Sequence, residues 1–166
     1  MQPPQAVALR TMLETAKFAA LATLHKSEPA VSMVPYALLP NGEGLLVHVS
    51  RLATHTADML ATPAVALLVT APEGLGSTPQ ELARASVKGR AEKLEPDSPE
   101  YLEGRSHYLV KFPSAEELFT FADFSLFTIK VQSVRFVGGF AQAATALGEE
   151  FPSIMCGGGP GGESAA

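Results

Sequence analysis

The sequence predicts a mainly β domain, a closed or nearly closed antiparallel barrel with helices at its periphery. Three observations carry this. First, six or seven short runs between residues 18 and 140 are either continuously apolar or alternate with period two, the marks of buried and half-buried strands. Second, the runs over residues 18–49 follow one another through tight turns, as in a meander. Third, the helical patterns lie at the ends or between strands, which suits the outside of a barrel better than a doubly wound sheet.

Pro3 and Pro4 can open a helix, where a missing N–H costs little. Leu9, Met12, Leu13 and Ala16 follow at helical spacing, so Gln5 to Lys17 is read as an amphipathic helix. Phe18 to Leu24 is a short apolar strand, and residues 25–29 are turn-like. Ala30 to Leu39 is the next strand, and Pro35 within it removes a ladder donor, which favours an edge or a bulge. Residues 40–44 form a hairpin turn and Leu45 to Val49 returns as the third strand. Thr54 to Leu60 is a short helix closed before Pro63. Ala64 to Thr70 is a buried strand, residues 71–79 a loop, and Arg84 to Leu94 a strand with Gly89 as a bulge candidate. Residues 96–99 break the chain, Glu100 to Lys111 is helical, and Ser114 to Glu117 resembles a capping box that starts another short helix. Phe124 to Val131 alternates as a half-buried strand, with Val134 to Phe140 expected as its partner. The Gly-rich end sets a domain at 1–148 and a flexible tail at 149–166.

A chain of 166 residues suits one domain and buries roughly two thirds of its unfolded surface, so it needs no disulfide or metal staple. Cys156 is the single cysteine, and Met1 to Lys17 lacks the basic start and apolar core of an export signal; a reducing, cytoplasmic location is expected. The net charge of −5 argues against a broad electrostatic hold on nucleic acid or anionic lipid, so a bound phosphate needs a local site. No apolar run reaches the length of a membrane helix.

The stretch with most chemistry is Leu45 to Pro63. A buried strand turns polar at Ser50-Arg51 and feeds a helix start, where N–H groups, a hydroxyl and a guanidinium can converge on an anion. The competing reading makes Arg51 a solvated loop residue and Thr54 a helix cap. Thr56 likewise stands between a ligand role and a bond to its own helix backbone. His55 divides between phosphate contact and helix surface, and His48, inside an apolar strand, reads as a satisfied core residue. His25 and His107 read as turn and helix surface, and the four histidines lack metal-ligand spacing, so no metal site is expected. Asp58 and Asp123 show no Ser or His partner in the sequence, so no hydrolase triad is argued. Phe119, Phe121, Phe124 and Phe127 read as packing residues.

Four segments, residues 31–38 (VSMVPYAL), 49–60 (VSRLATHTADML), 84–94 (RASVKGRAEKL) and 127–143 (FTIKVQSVRFVGGFAQA), resemble in order and spacing the pyridoxamine 5′-phosphate oxidase-like FMN-binding split-barrel family, and within it the haem-utilisation branch. The resemblance covers about residues 8 to 145. It implies a six-stranded antiparallel split β-barrel that forms a homodimer with FMN at the subunit interface. It places Ser32, Met33, Val34 and Pro35 along the isoalloxazine, and His48, Val49, Ser50, Arg51 and Leu52 along the ribityl chain toward the phosphate, near His55 and Thr56. Arg84 falls at a polar flavin contact often made across the dimer, and Phe140 and Gln142 lie in a segment that approaches the flavin.

The chain also departs from the oxidases. Ser32, Ala37 and Leu52 stand where they carry basic residues, and their C-terminal Arg-x-His pattern is absent, so pyridoxamine phosphate is a poor substrate. No histidine follows His107, so the C-terminal iron ligand of some haem-degrading members is missing; Met155 and Cys156 sit in a segment read as too Gly-rich to replace it. The expected function is an FMN-binding flavoprotein acting as an oxidoreductase on an unknown small molecule, with no catalytic acid or base named. The alternatives are a haem-binding or haem-degrading protein, a flavin binder without catalysis, and a barrel that has lost its site and only assembles with itself or a partner.

Overall fold

The computed structural model describes residues 1–73, 78–139 and 142–157. Eight strands form one sheet among them, β1 (Phe18–His25), β2 (Glu28–Pro35), β3 (Ala37–Leu38), β4 (Gly44–Ser50), β5 (Ala64–Thr70), β6 (Arg84–Lys93), β7 (Phe124–Val137) and β8 (Ala143–Leu147). The helices are α1 (Pro3–Thr15), α2 (Thr54–Ala61), α3 (Pro99–Lys111) and α4 (Phe151–Cys156). All pairings are antiparallel, in the order β2-β1-β5-β6-β7-β4-β3, with β8 added to β7.

The two ends of that order, β2 and β3, are consecutive pieces of one run. Pro35 has no N–H to give, and at Tyr36 the chain leaves β1 and joins β4. The Tyr36 N–H bonds to Lys17 O instead, and its buried phenol donates to Leu13 O at 2.8 Å. The sheet therefore curls round on itself and leaves a split between β2 and β4. This is the mainly β split barrel that the sequence predicts, with eight strands in place of six or seven.

Alternate residues fill the barrel, among them Leu21, Val47, Leu67, Val87, Phe127 and Ile129, with Leu9 and Leu13 of α1 and Phe151 of α4 packed against them. Burying each such side chain contributes about 1.5–3 kcal/mol. A second cluster covers the other face of β4 and β7, where Leu46 and Leu126 meet Tyr108 of α3. Burial on both faces is why β4 reads as an unbroken apolar run.

Several expectations change. Val134 to Phe140 is no separate partner strand, because β7 runs unbroken through Val137 and pairs with β6, β4 and β8. The apparent break is a bulge: Lys88 pairs with Ser133 and Gly89 with Val131, so Gln132 is an extra residue that shifts the alternation. The capping box at Ser114 does not form; Pro113–Ala115 and Glu117–Thr120 are single 3₁₀ turns without a side-chain cap. Thr54 is the first residue of α2, after an uncapped Ala53. The ordered chain also continues past 148, since α4 buries Phe151 completely; composition hid a short apolar helix beside the glycines.

Candidate functional site

The two strands named as the flavin groove meet at the split. β3 pairs Ala37 with Leu46 and Leu38 with Leu45; carried back along the chain, this register sets Pro35 level with His48 and Met33 level with Ser50, and β2 and β4 are in contact. Ser32 to Pro35 and His48 to Leu52 thus line opposite sides of one groove. Met33 and Pro35 face outward, Ser32 is half-buried, and Val34 and Val49 point into the core and offer the groove only their backbone. A cleft of about 650 Å³ opens beside Ser32 and Met33, walled by Met12, Phe18, Val31 and Leu68.

At the end of β4 the chain makes a tightly bonded turn. Ser50 Oγ donates to an Asp123 carboxylate oxygen at 3.1 Å and accepts the Leu52 N–H at 3.1 Å. The Arg51 N–H goes to Asp123 O at 2.6 Å, the Ala53 N–H to Ser50 O, and Thr56 Oγ1 donates to Ser50 O at 2.6 Å. The expected set of free N–H groups and hydroxyls is therefore largely used by the turn itself. What stays open is the Arg51 guanidinium, exposed and without a protein partner among the described residues, and the first N–H groups of α2 at Thr54 and His55. Leu52 is almost fully exposed, and burial holds the half-buried His55 below its ordinary pKa, partly offset by the charge of Asp58.

His48 does not face the groove with its ring. It belongs to the α3 side, stacked on Phe119 at 3.7 Å and 4°, with Tyr108 and Phe124 around it. It is a core residue but not a satisfied one, because Nδ1 is buried without a hydrogen bond; desolvation pushes its pKa down to about 4.

Both aspartates that looked isolated have partners. Asp123 serves the Ser50 turn. Asp58, 4 % exposed, accepts from His25 Nδ1 at 2.7 Å and from Thr23 Oγ1 at 2.9 Å, which pins α2 to β1. Burial pushes the Asp58 carboxyl up, but the bonds from His25 and Thr23 and the nearby imidazoles outweigh it and hold the group below its usual value. His25 is thus more than a turn residue. Sequence spacing gave no sign of this, because the partners lie more than thirty positions apart.

Arg84 and Gln142 are not brought to the groove. Arg84 on β6 is three strands from β2 one way round the sheet and two from β4 the other way, level with Val137 at the far end of β7, and its guanidinium bonds Leu82 O at 3.1 Å. Gln142, exposed, enters β8 beside the same corner, and Phe140 lies outside the described residues.

Comparison with known proteins bears on the family and the fold. Residues 7–138 match the pyridoxamine 5′-phosphate oxidase family. The chain is 31% identical over 144 residues to the chloroplastic non-canonical heme oxygenase HOZ of Arabidopsis thaliana, covering 85% of this chain and 42% of that protein. It is 30% identical to a heme binding protein from Mycobacterium smegmatis, with a TM-score of 0.81 over 92% of this chain and 62% of the other. ChuZ of Campylobacter jejuni shares the fold at 18% identity, with a TM-score of 0.77 over 99% of this chain and 68% of its own. The chain therefore spans less than two thirds of the length of the first two.

Proposed function

We propose a function from one premise: the chain belongs to the pyridoxamine 5′-phosphate oxidase family. It binds FMN in the β2–β4 groove and acts as an oxidoreductase on a small molecule. The observation that carries this reading is Arg51, an exposed guanidinium with no protein partner among the described residues, in the turn just after β4 and across the split from Met33 of β2. Arg suits a phosphate because its fork donates two bonds at once. Arg51 and the start of α2 hold the phosphate, while Ser32 to Pro35 lie along the ring system. FMN would supply the electron chemistry; the protein binds it, orients it and excludes water. The basic residues that serve pyridoxamine phosphate are replaced by Ser32, Ala37 and Leu52, so the substrate is another compound. A second copy completes the site with Arg84 and Gln142, and a reducing cytoplasmic setting belongs to the same reading.

Titration of ligand-free protein with FMN tests it. Arg51→Ala should weaken binding roughly tenfold to a hundredfold, the worth of one charge-assisted contact. An unchanged affinity removes the phosphate assignment. Mass spectrometry of whatever the purified protein releases on denaturation identifies the natural ligand.

The names of the two relatives near 30% identity favour a second reading, haem binding. Haem iron needs an axial His, Cys, Met or Tyr. His25 is tied to Asp58 and His48 is buried under Phe119. Contrary to the expectation of a shapeless tail, α4 does hold Met155 and Cys156 in place, but against the turn at Asn41 and Gly42. FMN leads on the open Arg51 guanidinium, while exposed His107 and half-buried His55 are the axial candidates of the haem reading. A saturable Soret band at one haemin per chain that decays on adding reductant would reverse that order.

A further inference from the structure

Asp58 is a buried carboxylate that the flavin reading leaves unused. Its two oxygens are both bonded, to His25 and Thr23, and His55 stands one helical turn before it on α2, so one carboxylate serves two imidazoles. His25 keeps 44% of its side chain exposed. The other charged groups at this end are Lys26 of the β1–β2 turn, Glu28 at the start of β2, where it pairs with His25, and Arg51 ahead of α2. β6 also packs against α2, but its Arg90 and Glu92 are exposed on the face opposite buried Ala91, and Glu92 is paired with Lys130.

Taking the FMN reading as its basis, we propose that His55, backed by the Asp58 carboxylate that holds His25 and Thr23, takes up a proton when the ligand's phosphate seats beside Arg51. In the free protein one buried carboxylate is shared between two imidazoles, and the partly buried His55 is neutral near pH 7 because burial disfavours its charge. A phosphate dianion at Arg51 adds two negative charges a few residues away, which Arg51 alone does not balance. An imidazolium at His55, with Asp58 behind it, supplies the missing positive charge. By linkage the proton must then tighten phosphate binding by the factor by which phosphate tightens the proton. Cofactor loading is thus coupled to pH through residues that never touch the flavin ring.

Calorimetric titration of the parent protein with FMN, at about pH 7.5 where the free phosphate is already a dianion, tests this in buffers of low and high ionisation heat. The measured heat should change with buffer in proportion to an uptake of about half a proton or more per FMN. Riboflavin, which lacks the phosphate, should show no such dependence. His55→Gln should bind FMN more weakly than the parent and lose most of the uptake. FMN binding with the same heat in every buffer overturns the proposal and leaves the flavin reading intact. If FMN fails to bind in any buffer, the flavin reading itself falls, and the proposal with it.

Discussion

At position 48 an imidazole lies flat on Phe119 with its Nδ1 shut away from water and unbonded. Such a ring is tolerated only as the neutral form, and desolvation sets its pKa at about 4 against an ordinary 6.5. The sign follows directly. Below about pH 6.5 the unfolded chain binds a proton that the folded chain refuses, so stability present above that pH is lost as pH falls toward 4. The loss should be roughly 2 kcal/mol. Urea unfolding between pH 7 and 4 should show His48→Phe, which keeps the stack and removes the titrating nitrogen, with that much less acid sensitivity than the parent. Parallel pH profiles would show that His48 is not responsible. The same residue marks the limit of reading sites from sequence. Strand β4 is legible as apolar, but the face on which its even residues lie depends on α3, more than fifty positions later. Ser50 and Thr56 were identifiable as hydroxyl donors; only the folded turn reveals that Asp123 and the Ser50 carbonyl claim them first.

Elements were more legible than sites, because apolar period and turn residues act over a few neighbours. β5 spans Ala64–Thr70 as read, β1 and β4 differ from their expected bounds by a residue or so, α3 starts at Pro99 rather than Glu100, and α1 runs from Pro3 to Thr15 rather than from Gln5 to Lys17. What escaped is set at longer range. β8 has only five residues and needs β7 as a template, and β7 was cut in two where its alternation slips at Gln132. Gly89 lies opposite that slip, tight against β7. A Cβ there would lie 2.6 Å from Lys130 O and 2.8 Å from Ile129 Cγ2, so strand β7 would have to move. Gly89→Ala should therefore destabilise the fold by about 1–3 kcal/mol, although alanine is otherwise the better β residue of the two. Chemical denaturation measures this. A variant as stable as the parent would mean that β6 and β7 can part at the bulge without loss, and that the register slip is soft.

For the whole molecule the open question is the outer face of β2, β1 and β5. Phe18, Val31, Met33 and Leu68 are 61%, 74%, 65% and 41% exposed, and the pairing of Met33 with Ala20 and of Ala20 with Leu68 makes them one continuous surface. Contiguous apolar area of this kind marks an interaction surface. The groove gives a second argument. Arg51 and Met33 lie at the split, whereas Arg84 and Gln142 lie at another corner of the sheet, so on the proposed FMN reading the second half of the site comes from another copy. A two-fold arrangement through the apolar face would let each copy lend its Arg84 corner to the other's groove, and obligate dimers of this kind bury more than about 2,000 Å² in total. Light scattering should accordingly give twice the chain mass of 17.4 kDa at micromolar concentration. Placing Glu at both Val31 and Leu68 buries two carboxylates per chain at that interface, so the double variant should run as a monomer. FMN affinity should fall with the dimer, because the partner's contribution is lost. A parent protein that is monomeric and still binds FMN tightly would show that one chain holds the whole site, and Arg84 and Gln142 would leave it.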